Sequence, residues 1–356
     1  MIDGRPLALF TRSLSGGGAE RATANLANEL VSRGYNVDLV LQYREGPYLR
    51  DLDQRVRIHV LERRVRSSLF RMRRYLRTQR PQAMISFLTE PNVLAAVAWR
   101  LSGMDGALAV SEQTSLVGLT KSRRIAIRFA YPLAREVVAV SSAMADELVS
   151  HGVPPDRIRV IPNPTSQQAL SSGTSPLLNG SGGPIVVGVG RLVEQKDFAT
   201  LIRAFEIVQR DQDVRLLILG EGPERQRLED LAASLGLSDK IEMPGFINNP
   251  WPLMAQASVF ALSSRWEGWP NVLAEALALG LPVVSTDCPT GPNEILDNGK
   301  YGLLVPIQDP PALAAAIAQT LQDPPPSASL QQRAQKWSVE NITDQYLQAL
   351  NLQPTP

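Results

Sequence analysis

One pattern runs through the chain twice. Short apolar runs alternate with longer amphipathic stretches, and the alternation is broken once by a polar Ser/Gly-rich segment. In the first pass, apolar runs at residues 6–13, 37–41, 83–87, 108–110 and 137–140 predict strands. Helical patterns lie between them. The clearest runs from about Ala19 to Arg33, with Ala22, Leu26, Ala27, Leu30 and Val31 as its apolar positions and Gly34 where a C-cap glycine belongs. Ile161-Pro162-Asn163-Pro164 ends regular structure, and residues 166–183 read as a linker or exposed loop. The second pass predicts strands at 184–189, 214–219, 240–243, 259–262 and 282–285. Its helices fall at 197–210, 224–235, 270–279, 310–321 and 339–350. Apolar strands alternating with helices form parallel sheets covered on both faces. The expected class is α/β, with two doubly wound Rossmann-like domains facing each other across a cleft. Domain bounds follow as 1–165, a linker at 166–183, then 184–335, with a closing helix in 336–356 expected to pack back on the first domain. Ligands of such sheets bind at the carboxyl ends of the strands.

Composition narrows the classes. Apolar residues at 44% and charged residues at 20% exclude a disordered chain. No apolar run reaches the roughly 18 residues of a spanning helix. The short apolar stretch before Arg12 is not expected to be a secretory signal. The single cysteine, Cys288, leaves no internal disulfide, and the distant His59 and His151 argue against a zinc site.

The formal net charge of +1 hides an asymmetry. Residues 1–165 hold 24 basic and 15 acidic side chains, against 12 and 20 in the remainder. Ten arginines fall between Arg55 and Arg80, with one acid, Glu62, among them. Leu69, Phe70, Met72, Tyr75 and Leu76 interleave, which predicts a basic amphipathic helix near residues 67–79. Its Arg71, Arg73, Arg74 and Arg77 are candidates to face an anionic membrane. A solvated helix face and nucleic acid are the alternatives, and no recognisable nucleic-acid fold accompanies the patch.

Four segments carry candidate chemistry. Gly16-Gly17-Gly18 sits between a strand and a helix start, where backbone amides can approach an anion or simply make a tight turn. It is neither G-x-G-x-x-G nor a phosphate-binding Walker loop. Gly190-Arg191-Leu192-Val193-Glu194-Gln195-Lys196-Asp197 puts two cations in one strand-to-helix loop, suited to a diphosphate or to solvent. Glu267 and Glu275 frame E-G-W-P-N-V-L-A-E, with Pro270 placed to open a helix. The pair can grip hydroxyls of one sugar ligand, Glu267 can stabilise charge at an anomeric carbon, or the two are a capping acid and a surface acid. The stiff loop Thr286–Glu294 follows the strand at 282–285. Asp51-x-Asp53 and Asp211-x-Asp213 precede strands, so a structural role is expected for both. Cys288 has no histidine placed to activate it.

Together, Gly16-Gly17-Gly18-Ala19-Glu20-Arg21, Arg191…Lys196 and Glu267-x7-Glu275 resemble the retaining glycosyltransferases of family 4, of GT-B architecture, over about residues 6–350. That resemblance implies a nucleotide-diphosphate-sugar donor on the second domain, an acceptor on the first, and no metal or other cofactor. It implies that Arg191 and Lys196 hold the donor diphosphate and that Glu275 bonds the ribose. Glu267, with the Gly268-Trp269-Pro270-Asn271 segment and Gly190, would bind the donor. Gly17 and Gly18 would let the first domain approach the donor phosphate or transferred sugar. Loop 287–296 resembles branches that build bacterial surface polysaccharides and lipid-linked oligosaccharides, several using a UDP-N-acetylhexosamine. Polyprenyl-diphosphate acceptors agree with the basic stretch and with a peripheral place on the cytoplasmic face of the plasma membrane. Many relatives carry a histidine in the first domain. Here Ser111-Glu112-Gln113-Thr114 occupies that region, and Glu112, Gln113 or Thr114 would supply the polar contact to the sugar. Two other classes fit some of these features: a non-catalytic nucleotide-sugar binder at the membrane, and an NAD-dependent dehydrogenase, which lacks its glycine fingerprint here.

Overall fold

Every strand pairing among the described residues is parallel, the arrangement of sheets that carry helices on both faces. The structure is a computed structural model that describes residues 4–61, 65–116, 118–165 and 183–352, without the side chains of 65–67. The linker expected at 166–183 lies outside the described residues except for Gly183. The chain divides into two units, one running to Pro164 and resuming at Trp337, the other Thr165–Lys336.

The first unit runs β1 (Leu7–Thr11), α1 (Gly18–Ser32), β2 (Val37–Leu41), β3 (Arg57–Val60), α2 (Val65–Gln79), β4 (Ala83–Phe87), α3 (Thr89–Ser102), β5 (Ala107–Glu112), α4 (Lys121–Ala130), β6 (Glu136–Ala139), α5 (Ser142–Ser150) and β7 (Ile158–Val160). Its seven strands are ordered β3-β2-β1-β4-β5-β6-β7. Leu7 of β1 registers with Val37 on one side and Ala83 on the other, and β1, β2, β4 and β5 are wholly buried. Helix α1 ends as its sequence dictates. Gly34, at φ +84, lets its own N–H reach Val31 O at 3.0 Å and the Tyr35 N–H reach Leu30 O at 3.0 Å. Helix α2 is tied to the sheet through Asp38, which is fully buried and accepts from Arg57 Nε at 2.8 Å and Tyr75 Oη at 2.9 Å, with His59 Nε2 3.2 Å away. Burial pushes that carboxyl up, but bonds from His59 and Tyr75 outweigh it and the pKa is lowered.

The second unit runs β8 (Ile185–Val189), α6 (Phe198–Val208), β9 (Arg215–Leu219), α7 (Arg225–Ser234), β10 (Ile241–Gly245), α8 (Trp251–Met254), β11 (Val259–Leu262), α9 (Asn271–Ala278), β12 (Val283–Thr286), α10 (Pro292–Ile295), β13 (Leu303–Val305), α11 (Pro310–Gln322) and α12 (Ser327–Ala334). The sheet order is β10-β9-β8-β11-β12-β13. Val186, Leu216, Ile218 and Val259 from the strands meet Leu201, Phe205 and Ile317 from α6 and α11 in its core.

Helix α13 (Val339–Ala349) belongs to the first unit and packs on α1. Ser338 caps it by accepting from Asn341 N at 3.3 Å. Arg33 at the end of α1 pairs with Asp344 and donates to Glu340 O at 3.0 Å. Tyr346 reaches Ser111 on β5, Oη to Oγ 3.1 Å, and meets Phe87 edge-on. Leu347 is fully buried, so Leu347→Ala is expected to destabilise the first unit by about 2–5 kcal/mol through lost burial and an unfilled cavity. Urea unfolding of the full chain measures this, and an unchanged midpoint would place α13 outside the core.

Candidate active site

Both sheets reverse their strand order once, and a doubly wound sheet offers its ligand crevice where that reversal occurs. In the second unit the reversal lies between β8 and β11. Three loops leave the carboxyl ends of the neighbouring strands β8, β11 and β12 there, and they converge on Glu267.

The β8 loop carries Gly190, Arg191 and Lys196. Its amides are fixed early: Gly190 N bonds Leu219 O at 3.0 Å and Leu192 N bonds Glu221 O at 2.9 Å. A 3₁₀ turn, Glu194–Lys196, leads to Asp197, which sits at φ 44 and opens α6. Asp197 is buried and accepts from Thr200 Oγ1 at 2.8 Å and Arg265 Nε at 3.0 Å. The turn is thereby locked to the β11 loop. Ser263 Oγ donates to Lys196 O at 2.8 Å, Arg265 N to Gln195 O at 2.8 Å, and Gln195 Nε2 to Trp266 O at 2.9 Å.

Lys196 Nζ lies 2.5 Å from Glu267 Oε1, which also accepts from Ser264 Oγ at 2.6 Å. The two charged side chains are 15% and 6% exposed, so the pair is largely desolvated. An ammonium has three N–H donors, and this contact uses one of them. The Lys196 stem passes over Gly190, where a Cβ would meet it at 3.3 Å. Arg191 is exposed beside it. The β12 loop closes the third side. Thr286 Oγ1 donates to Ser264 O at 2.6 Å, and Thr290 Oγ1 donates to Glu267 O. Gly291, at φ +93, is where that loop crosses the Gly268–Pro270 segment, and a Cβ would lie 2.6 Å from Pro270 Cδ. Gly268, Trp269, Pro270 and Asn271 are buried, and Pro270 leads into α9. Glu275 stands one turn after Asn271 on the same face of α9 and is buried.

The structure thus brings Gly190, Lys196, Glu267 and Gly268–Asn271 together. Sequence reasoning missed Ser263 and Ser264, whose only signal was a pair of hydroxyls directly after an apolar strand. Cys288 lies in the same neighbourhood, and burial, reinforced by the Glu267 charge, pushes its thiol up to about 12. It stays protonated, consistent with no nucleophilic role.

In the first unit the reversal lies between β1 and β4. Gly17, extended at φ −85, caps α1, and a Cβ there would fall on the Glu20 carboxylate. Beside it a cavity of about 430 Å³ is lined by Arg12, Ser13, Ser15, Glu20, Tyr43 and Glu45. Gly18 is the first residue of α1. Leu88, at φ 75, follows β4 and opens α3.

Glu112 requires a correction. Its side chain is wholly buried and accepts from Tyr131 Oη at 2.5 Å, Thr89 Oγ1 at 2.9 Å, Gln113 N at 3.1 Å and Thr114 Oγ1 at 3.2 Å. A carboxylate spent on those donors shapes the loop rather than touching a sugar. Gln113 is also buried, between Ser111 Oγ at 2.8 Å and Asn163 Nδ2 at 2.7 Å, which leaves Thr114 as the exposed member of the three. Burial raises the Glu112 pKa against the opposing pull of Tyr131 and Thr89.

The basic helix is partly occupied by its own unit. Met72, Tyr75 and Leu76 are buried within the first unit, so most of the apolar face of α2 is already covered. Arg71, Arg74 and Arg77 are exposed, while Arg73 is half-buried and donates to Leu101 O at 3.3 Å. Among the described residues no group of three or more His, Cys, Asp or Glu could hold a metal ion, and no helix is long and apolar enough to cross a membrane.

Residues 16–168 match the family model described as Glycosyltransferase Family 4, and residues 175–337 match that of Glycosyl transferases group 1. The lipopolysaccharide core biosynthesis glycosyltransferase LpsE of Rhizobium meliloti is 32% identical over 349 residues, covering 95% of this chain and 97% of LpsE. The chain belongs to the family 4 glycosyltransferases. A second relative is the N-acetylgalactosamine-N,N'-diacetylbacillosaminyl-diphospho-undecaprenol 4-alpha-N-acetylgalactosaminyltransferase of Campylobacter jejuni, 28% identical over 89% of this chain and 90% of that one. Among solved structures, Anabaena HepE in complex with UDP superposes with a TM-score of 0.83 at 21% identity, over 97% of this chain and 99% of HepE. Both units therefore have the Rossmann-like folds of GT-B glycosyltransferases.

A raised Glu112 pKa makes its contribution to stability greatest below the unfolded carboxylate pKa and lost as pH rises through the folded value. The melting temperature of Glu112→Gln relative to the unaltered chain is therefore expected to rise as pH is raised from about 4.5 towards neutrality. A difference independent of pH would contradict this.

Proposed function

We propose that the chain transfers a hexose or N-acetylhexosamine from a UDP-sugar to a polyprenyl-diphosphate-linked saccharide, in bacterial polysaccharide or glycan assembly, with retained anomeric configuration. The observation that carries this is the Lys196–Glu267 pair at the switch point of the second sheet, with exposed Arg191 in the same strand-to-helix loop as the lysine. A cation and a carboxylate 2.5 Å apart suit the two halves of one donor: diphosphate on the cation and sugar hydroxyls on the carboxylate.

Leaving-group departure is the demanding step. As the anomeric C–O bond breaks, negative charge grows on the UDP β-phosphate. Arg191 and the remaining N–H donors of Lys196 stabilise it. Gly190 gives the lysine stem its room. Glu267 binds the sugar, the Gly268–Asn271 segment walls it, and Glu275 bonds the ribose. The departing phosphate accepts the proton of the acceptor hydroxyl, whose oxygen bonds the anomeric carbon on the face the phosphate leaves. The reading assigns no metal or other cofactor, since Arg191 and Lys196 supply the positive charge. In the first unit Gly17, Gly18 and exposed Thr114 are the residues this reading assigns to ligand contact, and Glu112 and Gln113 hold the loop of Thr114.

The acceptor reading draws on the lipid-linked substrate in the name of the Campylobacter jejuni relative. With it comes a peripheral place on the cytoplasmic face of the membrane, nucleic acid being no partner. The test is UDP release from UDP-glucose, UDP-galactose, UDP-N-acetylglucosamine and UDP-N-acetylgalactosamine, after thermal shift has chosen the donor. Arg191→Ala and Lys196→Ala are each expected to lower turnover by about 10² or more. Undiminished turnover in both would reject the assigned roles. An unaltered chain that binds a donor without turnover under any acceptor would be a non-catalytic binder.

A further inference from the structure

Helix α4 exposes what a soluble helix ordinarily buries. Its sequence, KSRRIAIRFA, holds four cations and no acid. Only Ile127 and Ala130 face the protein core. Ile125 and Phe129, one turn apart, are 58% and 70% exposed. Arg124 and Arg128, also one turn apart and exposed, run beside them. Arg123 pairs with Glu90 of α3, and Thr120 caps the helix by accepting from Arg123 N at 3.5 Å, so α4 is formed and docked by its own unit.

The rest of that helical layer continues the pattern. Helix α3 packs against both α2 and α4. Phe70 of α2 is 70% exposed next to exposed Arg71 and Arg74, and Leu101 at the end of α3 and Leu133 just after α4 are exposed as well. Large apolar side chains interleaved with cations fit an anionic bilayer. The apolar groups enter the acyl boundary while the guanidinium groups stay with phosphate headgroups. Helix α2 cannot lie in a membrane plane by itself, because Met72, Tyr75 and Leu76 are turned into its own unit.

We infer that α4 is the membrane-docking element: Ile125 and Phe129 insert into an anionic bilayer and Lys121, Arg124 and Arg128 hold its headgroups, with Phe70 and the exposed arginines of α2 as the flanking contact. The biological purpose of that docking rests on the proposed lipid-linked acceptor. The surface itself does not.

The experiment is flotation of the full chain with vesicles of phosphatidylcholine alone, or of phosphatidylcholine mixed with phosphatidylglycerol. The unaltered chain binds the mixed vesicles and hardly binds the neutral ones. Ile125→Ser combined with Phe129→Ser is expected to weaken binding by about tenfold or more, without change in melting temperature. Ile125→Leu combined with Phe129→Trp retains binding, which separates insertion from a loss of local structure. Arg124→Gln combined with Arg128→Gln loses most of the preference for phosphatidylglycerol. Binding unaffected by the double serine variant overturns the inference, as does a chain that ignores mixed vesicles. So does self-association in sedimentation that the serine variant abolishes while vesicles stay unbound. UDP release from the chosen UDP-sugar, measured without vesicles, reports on the transferase reading separately. Docking without turnover would leave this inference standing and that reading rejected.

Discussion

The candidate site of the second unit is built around a largely desolvated ion pair, Lys196 and Glu267. Taking Lys196 and Glu267 out of solvent is costly, and a matched apolar pair would often be no less stable there. Such a pair persists where its neighbours over-determine it. Ser264 bonds the carboxylate, Ser263 bonds the lysine's own carbonyl, and Thr290 bonds the backbone of Glu267. Three loops from adjacent strands thus fix one cation and one carboxylate before any ligand arrives, which is the preorganisation that electrostatic catalysis requires.

The first unit solves a related problem differently. Its buried acid, Glu112, faces hydroxyls and amides instead of a cation, and it sets the course of the chain after β5. That network continues through Ser111 to Tyr346, so the last helix of the chain is bonded to the strand that carries the loop. Outside it, the unit turns cationic side chains and aromatic rings towards solvent on α2 and α4.

Much of this was legible in the residues, for physical reasons. Central strands such as β1, β4, β8 and β11 are buried on both faces and read as unbroken apolar runs. The edge strands β3 and β7 did not, because Arg57-Ile58-His59-Val60 and Ile158-Arg159-Val160 are only partly covered and show no such run. Arg191, Lys196 and Glu267 stood out as charges in loops where few are needed. Ser263 and Ser264 did not, since small hydroxyls follow many strands. Glu112 reads as one of three alternatives for the sugar contact, with Gln113 and Thr114, because nothing local reveals that Tyr131 and Thr89 close over it. Five arginines mark α2 as basic, whereas α4 holds four cations but is the helix that leaves Ile125 and Phe129 outside. Periodicity identifies an apolar face; only packing says whether it is already occupied.

We propose that Lys196 and Arg191 of the second unit clasp a pyrophosphate. A crystal structure of the full chain grown with UDP tests it most directly. The expected result is a diphosphate with oxygens about 2.7–3.2 Å from Lys196 Nζ and from the Arg191 guanidinium, beside the intact Glu267 carboxylate. A diphosphate bound elsewhere, with Lys196 still engaged by Glu267 alone, would contradict it.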